Sequence, residues 1–255
     1  MWSAPPLSAV EIERLQALRA EHDLTPLAIH GSYLLNLASE DAANRRKAVR
    51  GFRDEVERGL AIGADYLVIH PGNSKGQETE RAIETLADSF AEAAEGVEWG
   101  GFQVLLENTA GGGASLGRDF NELARIGEAI VSRTPAAVEF CIDTAHLFAM
   151  GWDVSTAKGL RKTLKQIDGA IGLQRVKVVH TNDSKTGLGS RVDRHEQIGK
   201  GEIGLEAFRR IVNHPKLRRK AFILETPHGA DGTHRANVEL LKKLAGGSRT
   251  RRASR

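Results

Sequence analysis

Residues Val138–Asp143 read VEFCID, and the chain continues TAHLFAMGWD to Asp153. A short apolar run rich in β-branched and aromatic residues, closed abruptly by an acid, is the pattern of a parallel strand buried on both faces. Cys141 lies two residues before Asp143, so it shares that side of the strand and reads as a packed thiol. Five further runs have the same form: Leu27–Ile29, Tyr66–Ile69, Gln103–Leu106, Val176–Val179 and Ala221–Leu224. Amphipathic stretches separate them, over Asp41–Leu60, Glu78–Glu95, Asp119–Ser132, Ser155–Ile167 and Leu205–Val212. Ala9–His22 also reads as one helix. Strand–helix alternation of this kind predicts a parallel α/β fold.

The residues that close the six runs are His30, His70, Glu107, Asp143, His180 and Glu225. Each can bind a metal or carry a proton. With nine histidines and 33 acids in 255 residues, six such closures in a row are far from chance. The C-terminal strand ends of a parallel barrel form one functional face. A doubly wound sheet concentrates its site at a single switch point instead. Six converging polar ends therefore favour a TIM-type (β/α) barrel.

Length and composition fit this. A chain of 255 residues, 40% hydrophobic and 27% charged, suits one α/β barrel domain, expected over 1–245. The last ten residues, GGSRTRRASR, hold four arginines and no acid, so 246–255 reads as a basic disordered tail. Without them the formal charge falls from +3 to −1, and bulk charge makes no case for nucleic-acid binding. A single cysteine excludes disulfide scaffolds and thiolate zinc modules. No run approaches the length of a membrane span and no signal peptide opens the chain, so the expected compartment is the cytoplasm, with no membrane partner.

Two pairs near the strand ends extend the ligand inventory: Asp143 with His146, and Asp193 with His195. Five histidines and four carboxylates exceed what one metal can use. Two or three ions with shared carboxylates can use them, and N/O donors without thiolate suit zinc, manganese or iron. Clustered ions serve phosphoryl displacement, which makes phosphate esters the favoured substrate class. His22, His214, His228 and His234 show no partner pattern and read as surface or loop residues. GGGASLG (Gly111–Gly117) reads as a flexible loop, and no nucleotide cofactor is expected. The chain has neither a P-loop nor a G-x-S-x-G elbow.

The ordered set HGSYLLNLAS (from His30), VIHPGNS (Val68–Ser74), LLENTAGGG (Leu105–Gly113), CIDTAHLFAMGWD (Cys141–Asp153), HTNDSK (from His180), GSRVDRHEQIGKGEIG (Gly189–Gly204) and ILET (Ile223–Thr226) resembles the endonuclease IV family. These are zinc-dependent apurinic/apyrimidinic (AP) endonucleases of base-excision repair, and the likeness runs from about Trp2 to Leu244. The resemblance implies hydrolysis of the phosphodiester 5′ to abasic sites in duplex DNA. It implies three zinc ions, with manganese or iron suiting some positions. The first would be held by His30, His70 and Glu107. The second would share Glu107 and add Asp143, His180 and Glu225. The third would use His146, Asp193 and His195. Glu107 would thus be a bridging, catalytic carboxylate, and Tyr33 and Leu34 would enter the duplex at the lesion.

In one respect the sequence departs from the family pattern. Its six strand ends span 195 residues, about 39 per unit, so a preceding strand would fall before residue 1. Eight strands close this kind of barrel, and six are visible. The first two βα units are expected to be lacking, leaving open edges through which the chain could self-associate. Two alternative functions stay open: a catalytically weak DNA-lesion binder, and a sugar-phosphate isomerase-like metal barrel.

Overall fold

A computed structural model describes residues 5–230 and 232–246. The chain divides into two compact units, Met1–Glu107 with Gly113–Phe140, and Asn108–Gly112 with Cys141–Arg255.

The first unit contains α1 (Ala9–Glu21), β1 (Ala28–His30), α2 (Ala42–Ala61), β2 (Tyr66–Ile69), α3 (Thr79–Ala94), β3 (Gln103–Glu107), α4 (Phe120–Val131) and the first residues of β4 (Ala137–Asp143). Its strands are neighbours in the order β1-β2-β3-β4. β1 and β2 pair in parallel with Ala28 opposite Tyr66 and His30 opposite Val68; β2 and β3 pair with Tyr66 opposite Gln103. Helix starts follow local chemistry. Asp41 accepts the Asn44 amide at 2.7 Å, and Asp119 accepts Asn121 and Glu122 at 2.9 and 3.0 Å. These side chains satisfy amides that a helix N-terminus leaves without partners. Buried Phe52 and Phe90 meet with ring centroids 4.8 Å apart, and Trp99 stacks beyond Phe90. At Gly59 a Cβ would lie 2.5 Å from the Phe102 ring and 2.9 Å from Ile29, so α2 sits this close to the sheet only because that position lacks a side chain. α1 buries no residue. Its Ser8–Glu11 capping box and the bonds of Arg19 to Gly63 and Asp65 hold it instead.

The second unit continues β4 from Cys141 and adds α5 (Thr144–Met150), α6 (Ala157–Ala170), β5 (Val176–His180), β6 (Asp183–Ser184), β7 (His195–Glu196), α7 (Leu205–Asn213), β8 (Ala221–Ile223) and α8 (Arg235–Gly246). Here the order is β4-β5-β8, with His180 opposite Ile223 in a parallel pair. β6 and β7 form a separate antiparallel ribbon, Asp183 opposite Glu196 and Ser184 opposite His195.

The six expected strands are all present and form one sheet, in which β1 and β8 each have a single neighbour among the described residues. Leu27 and Leu224 fall just outside their strands. α5, α8 and the ribbon go beyond the sequence expectation. Cys141 is fully buried, as expected of a packed thiol. Apart from Gly246, which ends α8, the expected basic tail lies outside the described residues. Among the described residues no helix is long and apolar enough to cross a membrane.

Candidate metal centre

In the first unit three strand ends bring three ligand residues together. His30 closes β1, His70 follows β2, and Glu107 closes β3. The fully buried Glu107 carboxylate lies 3.0 Å from His30 Nε2 and 3.3 Å from His70 Nε2. The two imidazoles meet edge to face, centroids 5.2 Å apart. His30 Nδ1 lies 2.8 Å from the Gly31 carbonyl, which can only accept. Nδ1 can donate to that carbonyl, which turns Nε2 toward the carboxylate.

The loop beyond β1 presents Tyr33 to solvent, 81% exposed, while Leu37 and Ala38 anchor the turn. Leu34 is half-buried. Asn36 ties this loop to the next through bonds to the Asn73 carbonyl and amide, 2.9 and 3.0 Å. The glycine-rich stretch, expected as a loop, lies outside the helices and named strands. Ser74 donates to Ala114 and Leu116 donates to Gly72, so residues 114–116 dock on the loop after β2.

In the second unit Asp143 closes β4 and caps α5, its Oδ1 accepting the His146 amide at 2.7 Å. The capping turn places His146 beside Asp143. Asp193 precedes β7 and His195 begins it. Asp193 spans the two imidazoles, its oxygens 3.1 Å from His146 Nε2 and 3.2 Å from His195 Nε2. Ligand atoms of Asp143, His146 and His195 all lie within 4.8 Å of one another, as do those of Asp143, His180 and Glu225. His180 Nδ1 is 3.2 Å from Glu225 Oε2. Second partners orient the rings. His146 Nδ1 faces the Asn108 carbonyl at 3.0 Å, and His195 Nδ1 faces the Glu225 carbonyl at 3.2 Å. Both Nε2 atoms thereby face the carboxylates.

Burial disfavours charge on His195, but Asp193 and Asp143 outweigh it and push its pKa up to about 9. Burial alone would raise Asp193, yet the imidazoles of His146 and His195 beside it hold it well below the usual carboxylate range. The donor set fits a divalent cation. His195 Nε2 is buried and makes no hydrogen bond among the described residues, although a carboxylate oxygen lies 3.2 Å away. A ring lone pair facing an anion at that distance needs a proton or a cation between them. Imidazole and carboxylate donors without thiolate suit zinc.

All nine expected ligands fall into these groups, three in the first unit and six in the second. Three supporting residues were not foreseen. Asn182 donates its Nδ2 to Asp143 and, at 3.4 Å, to Glu225, while its Oδ1 accepts the Glu225 amide at 2.7 Å. Asn108 accepts the Asp143 amide at 2.8 Å. The buried carboxylate of Asp183 gathers the amides of Ser184, Gly199, Gly201 and Ile203 at 2.9–3.1 Å. At Gly201 a Cβ would collide with the Ser184 carbonyl, so the loop reaches Asp183 only through glycine. The one available signal was position, since each of the three follows a strand-end ligand by one to three residues. His228 and His234, expected as surface or loop residues, lie outside the helices and strands and pack edge to face with centroids 4.5 Å apart. His22 and His214 sit at helix ends.

A family model described as xylose isomerase-like TIM barrel matches residues 1–244. The probable endonuclease 4 of Solibacter usitatus is 48% identical over 246 residues, 96% of this chain and 85% of that protein. The crystal structure of endonuclease IV from Thermus thermophilus superposes with a TM-score of 0.81 at 37% identity, covering 96% of this chain and 84% of that one. A D-tagatose 3-epimerase-like protein aligns with a TM-score of 0.68 at 21% identity, over 93% of this chain and 83% of its own; this likeness is one of fold.

Proposed function

The chain belongs to the endonuclease IV family of TIM-barrel hydrolases, and from that premise we propose that it hydrolyses the phosphodiester 5′ to abasic sites in duplex DNA. In this reading three zinc ions would be held by His30, His70 and Glu107; by Glu107 with Asp143, His180 and Glu225; and by His146, Asp193 and His195. Bound ions supply a lowered pKa for water and stabilisation of charge on the phosphoryl oxygens. The chain's own residues supply the rest. Gly31, Asn108 and Glu225 carbonyls fix ring tautomers, Asn182 sets two carboxylates side by side, and Tyr33 stands exposed to meet the lesion.

The observation that carries this reading is Asp193, which brackets His146 and His195 and adds a further ligand group to the strand-end set. A sugar-phosphate isomerase has no need of that extra pair. A lesion binder without catalysis has no need of a carboxylate buried against two imidazoles, as Glu107 is. In the same reading residues 1–245 act as one barrel domain, and self-association runs through β1 or β8, each paired on one side among the described residues. The test is incubation of zinc-loaded protein with a duplex bearing one abasic site. Cleavage on its 5′ side supports the reading. Binding without cleavage, or turnover of sugar phosphates alone, overturns it.

A further inference from the structure

Outside the ligands of the strand-end centre, two more imidazoles meet in the second unit. His228 lies in the loop between β8 and α8, and His234 directly precedes α8. The stretch Pro227–His234 reads PHGADGTH. Its ends come together because the chain between them closes on itself: Gly229 donates to the Thr233 carbonyl at 2.8 Å, and Gly232 to the Gly229 carbonyl at 2.9 Å. The two rings then lie with centroids 4.5 Å apart and planes inclined at 64°. Shared ligation requires such a separation. A metal–nitrogen bond of about 2.0–2.1 Å puts a ring centroid about 3.2 Å from the ion, so two rings on one ion have centroids about 4.5 Å apart at a right angle and about 5.2 Å apart at the tetrahedral angle. The pairs assigned to metal above, His30 with His70 and His146 with His195, stand at 5.2 and 5.4 Å. His228 and His234 fall at the near end of the same range.

Both residues sit on a hydrogen-bonded frame. His234 Nδ1 lies 3.4 Å from Thr226 Oγ1, which can accept the ring proton and leave Nε2 for an ion, the support that ligating imidazoles commonly have. Thr226 is buried, and its hydroxyl oxygen also accepts Asn237 Nδ2 at 3.1 Å. Asn237 Oδ1 accepts the Ile198 amide at 3.0 Å, and Gln197 Nε2 reaches the His228 carbonyl at 3.4 Å. His228 is exposed and His234 half-buried, so an ion reaches the pair from solvent. We propose that His228 and His234 form a further metal site, separate from the strand-end centre, that takes a divalent transition ion with water completing its coordination. Imidazole donors favour zinc, nickel or copper over magnesium and calcium, which prefer oxygen. With two protein ligands this site binds more weakly than the centre. Its ion fastens the turn against Thr226, the residue after Glu225, whose carbonyl faces His195 Nδ1. The inference stands on this loop's own geometry and does not depend on the phosphodiesterase reading.

The test is equilibrium dialysis of the full chain against rising zinc, with bound metal counted by elemental analysis, for the wild type, His228→Gln, His234→Gln and the double variant. Magnesium is run in parallel. At saturating zinc the wild type should hold one equivalent more than each variant. The equivalents retained at low zinc should be equal in all four proteins, and magnesium should not supply the extra one. Ring-proton NMR of the wild type gives a second reading that needs no folded variant beyond signal assignment: the zinc that binds last should shift the His228 and His234 resonances together. Equal zinc in the wild type and the double variant overturns the inference. So does loss of the tightly held equivalents in the variants, because these histidines would then be supports of the strand-end centre. Late zinc uptake that leaves both ring signals unmoved, or an extra equivalent that magnesium supplies equally well, overturns it too.

Discussion

Asp183→Asn isolates one buried charge. The carboxylate is fully buried, and the groups that bond to it are neutral. Four backbone amides hold it: Ser184 and Ile203 on Oδ1, Gly199 and Gly201 on Oδ2, all at 2.9–3.1 Å, with Gly204 at 3.4 Å from both oxygens. Asparagine is isosteric but offers one oxygen, and its NH2 must face amides that can only donate. At least two bonds are lost. Hydrogen bonds to charged groups are worth about 1.5–3 kcal/mol each, so the lower bound is about 3 kcal/mol. At about 2–4 °C per kcal/mol for a chain of this size, the melting temperature should fall by about 6–12 °C. Three of the four amides, Gly199, Gly201 and Ile203, belong to the segment that follows β7, and β7 carries His195 opposite Ser184. Loss of the tie should therefore release the metal of the His146–Asp193–His195 group before the others. Thermal melts of chelated and zinc-loaded protein, with metal content on each, read both effects. A variant that melts within about 1 kcal/mol of wild type and keeps full metal content would refute the argument.

Other outcomes follow from the same geometry. Purified protein should carry more than one equivalent of metal, and strong chelation should abolish cleavage; activity indifferent to chelation contradicts the multinuclear reading. Glu107→Gln should lose cleavage while keeping its fold by circular dichroism, and His195→Ala should lose one metal equivalent, measured by elemental analysis, and keep the rest. Tyr33→Ala should cut discrimination for abasic over intact duplex about tenfold in competition binding, since base–aromatic contacts are worth about 1–3 kcal/mol, with metal content unchanged. Asp153, opposed by burial but held by Thr156 and Ser155, has its carboxyl lowered from 3.8. Its contribution is present above that value and is lost as pH falls through the lower folded value. Asp153→Ala should therefore cost about 1 kcal/mol near neutral pH, the worth of one intramolecular hydrogen bond, and melts of the two proteins should converge in acid.

Strand positions were legible because strands buried on both faces read as unbroken apolar runs, and their polar closures stand out against them. Helix limits were legible where a side chain settles the matter locally, as at Asp41 and Asp119. α5 escaped because seven residues are too few for a helical period to show. The β6–β7 ribbon escaped because two residues per strand carry no alternation.

The ligand inventory was likewise written in the residues that close the runs, but their grouping was not. Asp143 serves both His180 with Glu225 and His146 with His195, a double membership that only folding confers. The parts of Asn108, Asn182 and Asp183 depend on partners 35, 43 and 16 residues away. Nothing in an asparagine or an aspartate shows which amide it will meet. Chain-local chemistry, set by periodicity and capping, is therefore determined by the sequence itself. Hydrogen bonds across loops, which orient the ligands and leave Asn108 Nδ2 with no protein acceptor among the described residues, exist only once the tertiary structure brings distant backbone groups within about 3 Å of them.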